Sequence, residues 1–169
     1  MNTHVILATH GSPPHDFPPE ELREFFVLHA RSHDSGSVSP DAPRFVELES
    51  KMRAWTRTPQ NDPFYTASRE LASYMEKYLH LPVFTAFNEF CAPTISEALG
   101  NSAEMGAEKV IVITSMLTRG GEHAEVDIRE AVSQARRDHP EVEFIFAFPF
   151  PAKDIARFLA EQVGHFNPE

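Results

Sequence analysis

The sequence predicts an α/β fold: an open, four-stranded parallel sheet flanked by helices, with a helical insert after the first strand. Three observations carry this expectation. Residues 62–163 alternate short β-branched runs with stretches of helical periodicity, the pattern of a parallel sheet covered by helices. A further β-branched run, residues 4–9, opens the chain. Between residues 13 and 61 the alternation stops, and two helical stretches follow each other without a strand.

Taken in order, residues 4–9 read as a buried strand ending at His10-Gly11-Ser12. A loop rich in proline follows, and residues 20–31 form a helix with Leu22, Phe25, Phe26 and His29 on one face. Ser, Pro, Asp and Gly crowd residues 32–43, which therefore read as a surface loop. Phe45, Leu48, Met52 and Trp55 recur at helical spacing, so residues 44–55 form an amphipathic helix with Trp55 in the core. Asp62 is a good N-cap and Pro63 suits a first helical position. The longest helix starts there, with Phe64, Ala67, Leu71, Met75 and Tyr78 as its buried stripe. Strands follow at 83–87, 109–114 and 143–147, and helices at 93–105, 124–138 and 152–163, the last before Gly164.

A chain of 169 residues is expected to fold as a single domain, residues 1–169, with 13–61 as its loop and helical insert. The net charge of −10, with scattered cations, argues against nucleic acid as a partner. Arg136-Arg137 reads as a solvated helix end favoured by the dipole. No apolar run reaches the roughly 20 residues of a membrane-spanning helix. Met1-Asn2-Thr3-His4 lacks a basic leader, and a lone Cys91 precludes an internal disulfide. A cytoplasmic protein is the expectation. Cys91 itself reads as a buried, inert thiol.

Chemistry in such sheets gathers at the carboxyl ends of the strands. That rule leaves a short list: His10 after the first strand, Asn88 and Glu89 after the second, and Arg119-Gly120-Gly121-Glu122-His123 after the third. Two imidazoles and a carboxylate at one edge can ligate Fe, Co, Ni or Zn, or can accept protons. His4, His29, His33, His80, His139 and His165 read as ordinary core or surface residues, whereas His15 shares the first loop with His10 and could reach a metal. No glycine-rich phosphate cradle follows any strand, and Ser12 lacks a nucleophile elbow.

Three stretches carry a family likeness: Ala8-Thr9-His10-Gly11-Ser12, then 86–95 (Ala-Phe-Asn-Glu-Phe-Cys-Ala-Pro-Thr-Ile), then 116–123 (Met-Leu-Thr-Arg-Gly-Gly-Glu-His) with Asp127-Ile128. In order and strand placement they resemble the small sirohydrochlorin chelatases of the CbiX type, the class II chelatases. The resemblance implies a flavodoxin-like chelatase fold and insertion of Co²⁺ or Fe²⁺, with Ni²⁺ also possible, into sirohydrochlorin or a related tetrapyrrole, towards cobalamin or siroheme. It maps metal handling onto His10 and His123, and a proton acceptor or auxiliary ligand onto Glu89. No organic cofactor is implied, and a symmetric homodimer would supply a second lobe. Arg119 would meet substrate carboxylates, and Gly120 and Gly121 would let a flat ring approach. Phe90, Met116 and Leu117 lie where they could touch that ring, although core packing also accounts for them.

The first loop (13–19), the insert, and a one-residue extension before His123 depart from the family pattern. The insert could act as a lid or extend a dimer interface. Three readings follow: a metal-inserting enzyme, a non-catalytic tetrapyrrole or metal carrier on the same fold, and a hydrolase built on His10, Glu89 and a bound metal. Lack of a clear nucleophile counts against the third.

Overall fold

The structure is a computed structural model that describes residues 1–34 and 43–167. Four parallel strands, β1 (Thr3–Thr9), β2 (Val83–Phe87), β3 (Lys109–Thr114) and β4 (Glu143–Phe146), form one sheet in the order β2-β1-β3-β4. Every expected strand is present, with ends shifted by one residue at most. The order reverses beside β1, so the crevice between β1 and β3 is the topological switch point. Register decides what meets there. Thr9 pairs with Phe87 and Ala8 with Thr114, so three strands end level and the residues that follow stand side by side.

Six α-helices complete the described chain: α1 (Pro19–Asp34), α2 (Pro43–Arg53), α3 (Pro63–Leu79), α4 (Ile95–Glu104), α5 (Ile128–Asp138) and α6 (Ala152–Phe166). The expected loop at 32–43 falls largely outside the described residues, and its first residues continue α1. Helix α4 starts later than expected because Thr94 and Glu97 form a capping box that fixes its first turn. Helix α6 runs through Gly164 rather than stopping before it. Arg136 is not simply solvated: its guanidinium donates twice to the Phe144 carbonyl and ties α5 to β4.

One face of the sheet is closed. Ile6, Val110, Val112 and Phe144 meet Leu99 of α4 and Val132 of α5 in a continuous apolar core. On the opposite face the expected α3 stripe is overturned. Its buried residues are Ser68 and Ala72, while Ala67 is exposed and Phe64, Leu71 and Tyr78 are 40%, 45% and 81% exposed. Small side chains at i and i+4 let α3 lie close on the sheet, and that rotation turns the bulkier stripe outward. Helix α6 buries none of its residues, and Phe158 and Val163 stay largely open. An apolar hollow of about 550 Å³ separates the two helices, walled by Leu7, Leu71, Met75, Ile113, Phe150 and Phe158.

The insert forms a second core. Phe25 of α1, with Phe45, Leu48 and Met52 of α2, packs against Phe17, Phe87, Phe90 and Cys91. Phe26, expected on the buried face of α1, is 44% exposed, and Trp55 lies half-buried with its indole N–H donating to Asp16.

A buried ion pair joins this insert to the sheet. Arg57 and Asp62 have side chains only 5% and 0% exposed and bond to each other. Arg57 also donates to the carbonyls of Ser12, Met52 and Phe90, while Asp62 caps α3 by accepting from the Tyr65 N–H. Removing one partner would leave a buried charge uncompensated. Arg57→Ala is therefore expected to cost about 3–5 kcal/mol of folding stability, read as a fall in the urea midpoint. A loss within experimental error would show that the pair is not needed.

Candidate metal-handling site

His10 leaves β1 in an intermediate environment, and Gly11 turns the chain with φ +105°. A Cβ on Gly11 would lie 2.0 Å from the Glu89 carbonyl oxygen, so only glycine lets the two loops approach this closely. The loops are then stitched together: Asn88 N–H donates to Thr9 O at 3.0 Å and Glu89 N–H to His10 O at 2.9 Å. Phe90, in the left-handed region at φ +61°, is held there by burial and by the bond from Arg57 to its carbonyl.

The third segment comes from an irregular turn. Residues His123–Asp127 form a single π-helical turn ahead of α5, where a regular α-helix was expected. In that turn the Ile128 N–H reaches the His123 carbonyl, and His123 Nδ1 lies 2.6 Å from Oδ2 of its i+4 neighbour Asp127. An isolated π-turn of this kind commonly marks a functional position.

His10 Nε2 lies 3.5 Å and His123 Nε2 3.8 Å from the same Glu89 oxygen, Oε2. The two imidazoles stand edge to face with centroids 4.7 Å apart. Ligand atoms of His10, Glu89 and His123 all lie within 4.8 Å of one another. The other ring nitrogens settle the tautomers. His10 Nδ1 lies 3.1 Å from the Gly11 carbonyl, which can only accept, and His123 Nδ1 faces the Asp127 carboxylate. Both histidines donate from Nδ1, which leaves both Nε2 lone pairs aimed at the cluster. Two imidazole nitrogens and a carboxylate, all partly open to solvent, make a half-shell that can grip a divalent ion of the Co or Zn type without enclosing it.

A residue the sequence reading treated as ordinary also reaches this site. His29, from α1, places Nε2 3.5 Å from the opposite oxygen of Glu89, Oε1. Its only sequence signal was a titratable ring on an otherwise apolar helix face. His15, which shares the first loop with His10, does not join the cluster; it is exposed, and its N–H donates to Asn61 O at 2.7 Å.

Arg119 and the two glycines lie on the exposed loop after β3. Arg119 sits 3.4 Å from Glu125 Oε1, and the Gly120 N–H donates to the same oxygen. That backbone bond first, and the Arg119 side chain second, hold the Glu125 carboxyl below its usual range. Gly120 has φ +89°, and both glycines face open space. Leu117, Arg119, Pro149, Phe150 and Ile155 wall an apolar hollow of about 650 Å³ beside this loop. Phe90 and Met116 pack into the two cores. Cys91 is fully buried, and burial pushes its thiol above the ordinary range, as expected for an inert thiol.

A family model of CbiX matches residues 60–165, a span that includes Glu89 and His123 but neither His10 nor the helices α1 and α2 of the insert. The chain is 34% identical over 67 residues to the sirohydrochlorin cobaltochelatase of Priestia megaterium, covering 40% of this chain and 22% of that protein. It is 44% identical over 49 residues to the sirohydrochlorin cobaltochelatase of Saccharolobus solfataricus, covering 29% of this chain and 38% of that one. It thus spans well under half the length of either relative. Among solved structures, a cobalamin (vitamin B12) biosynthesis CbiX protein from Marinobacter aquaeolei VT8 is 15% identical, with coverage of 98% and 99% and a TM-score of 0.44. The sirohydrochlorin chelatase SirB from Bacillus subtilis subspecies spizizenii, in complex with cobalt, is 17% identical, with coverage of 88% and 44% and a TM-score of 0.45.

The Gly11 contact gives a sharp test of the half-shell. Gly11→Ala must push Glu89 away from His10, so Co²⁺ affinity measured by titration should fall at least about tenfold. Unchanged affinity would mean that the approach of these loops does not set the site.

Proposed function

Because the chain belongs to the CbiX family, we propose that it is a metal chelatase that inserts Co²⁺ into sirohydrochlorin. The observation that carries this reading is the convergence of His10, Glu89 and His123 from three strand ends into one half-open donor set. Two of the relatives it is similar to are named for this activity. A half-shell suits a metal that is cargo: the ion must be gripped, partly stripped of water, and then released to a stronger ligand.

In this mechanism the Nε2 atoms of His10 and His123 present the ion to the face of the macrocycle. Two pyrrole N–H bonds break as the four ring nitrogens bind the metal, so two protons leave for each metal inserted. Glu89, touching both imidazoles, accepts them in turn and passes them to water. Fe²⁺ is a second substrate metal in this reading, since the same donors accept it, and Ni²⁺ is a third. The product would then serve cobalamin or siroheme formation in the cytoplasm. Arg119 exchanges Glu125 for a substrate carboxylate, and Gly120-Gly121 gives the ring room to approach.

The apolar face left open by α3 and α6 supports a homodimer, because large exposed apolar patches mark association surfaces. The single chelatase-like unit, residues 1–169, would gain its second lobe from the other copy.

An absorbance time course with sirohydrochlorin and Co²⁺ tests the activity. The protein should accelerate metal insertion above the spontaneous rate, and His10→Ala and His123→Ala should each lower the rate on the order of 10²-fold or more. A tight spectral shift without turnover would replace the enzyme by a tetrapyrrole carrier, and no response would overturn the assignment. Sedimentation tests the dimer: the wild type should sediment as a dimer and the double variant Leu71→Glu, Phe158→Glu as a monomer. A monomeric wild type would remove the second lobe.

A further inference from the structure

We infer that His29, carried to the site by the helical insert, is a positioning residue for Glu89. The inference rests on the metal-handling reading above and adds a residue to it. Glu89 has two oxygens with different surroundings: Oε2 faces His10 and His123, and Oε1 faces His29 Nε2 at 3.5 Å. A carboxylate on a short flexible side chain can swing, and a donor on its outer oxygen fixes which oxygen the ion meets. His29 supplies that donor from outside the three-residue donor set.

His29 is itself held in place. Its ring stacks on Phe25 at 5.8 Å and on Phe45 at 6.2 Å, so both helices of the insert clamp it. Phe25 and Phe26 also approach Phe90, the residue after Glu89, with centroids 6.0 Å and 6.1 Å away. One aromatic assembly thus fixes the imidazole and the backbone beside the carboxylate together. His29 and both helices of the insert lie before the span matched by the CbiX family model, residues 60–165. This support gives the insert a chemical role beyond covering the sheet.

Co²⁺ titrations of the purified protein, followed by the visible d–d bands and without tetrapyrrole, test this directly. His29→Ala is expected to weaken Co²⁺ binding about tenfold or more and to change the band shape, because Glu89 would be free to offer either or both oxygens. His29→Gln, which keeps a donor near Oε1, should restore most of the affinity and the native spectrum. Thermal melts of both variants separate this effect from loss of fold. A folded His29→Ala protein that binds Co²⁺ with wild-type affinity and spectrum would overturn the proposal. So would a His29→Gln protein no better than His29→Ala. Wild-type protein that binds no Co²⁺ would sink the metal-handling reading and this inference together. Tight Co²⁺ binding without insertion would sink the chelatase reading alone and leave the His29 comparison decisive.

Discussion

The buried pair of Arg57 and Asp62 is the constraint on which the arrangement depends. A guanidinium has five N–H groups, and here four are used on one carboxylate and three carbonyls, with Nε–H alone lacking a partner among the described residues. Those carbonyls belong to the loop after β1, the end of α2 and the loop after β2, while the carboxylate starts α3. Four separate segments therefore converge on one planar cation. Replacing it with lysine would not reproduce the effect, because a point charge lacks the fork that reaches several acceptors at fixed angles. Two of the tethered carbonyls, Ser12 and Phe90, lie within two residues of His10 and Glu89, so the clamp sets the spacing of the loops that carry them.

Register supplies what the clamp cannot. Parallel strands offset by one residue would still bury a core, but they would turn alternate side chains to the opposite face. With Thr9 beside Phe87 and Ala8 beside Thr114, the sheet delivers residues 10, 89 and the loop to 123 to the same edge. The π-turn then makes the last adjustment. Within that turn Asp127, the i+4 neighbour of His123, bonds Nδ1 and leaves Nε2 facing Glu89. The bond to Asp127 places the Nδ1 proton on that side and leaves the Nε2 lone pair facing the cluster.

The sheet and the donor set were legible in the sequence for the same reason. Buried parallel strands must be short β-branched runs, and strand ends in such sheets collect function, so His10, Glu89 and His123 could be gathered from positions far apart. What was not legible depended on rotation and on packing between distant segments. For α3, apolar periodicity named Phe64, Leu71 and Tyr78 as the buried stripe, yet Ser68 and Ala72 face the sheet. Period alone cannot choose between adjacent helical faces when one is bulky and its neighbour is small, and a bulky outward face is consistent with a surface meant for a partner. Asp62 was recognisable as a cap, whereas its pairing with Arg57 required knowing that two loops and two helix ends meet around the guanidinium.

His29 shows the same limit at the level of chemistry. On its own helix it is one polar ring in a row of aromatic side chains, and nothing in the local pattern distinguishes a packed imidazole from a functional one. Its meaning appears only when α1 is laid across the end of β2, where the stack with Phe25 and Phe45 directs the ring towards Glu89. An insert of this kind costs a sheet little, because it enters at a loop and closes its own apolar cluster around Leu48 and Met52. It then lies against the loop that carries Glu89. A donor set that must release its ion cannot be rigidified by adding ligands, since each added ligand holds the ion more tightly. Support from outside the donor set orients the carboxylate without adding a bond to the ion, and the position of His29 suits that role.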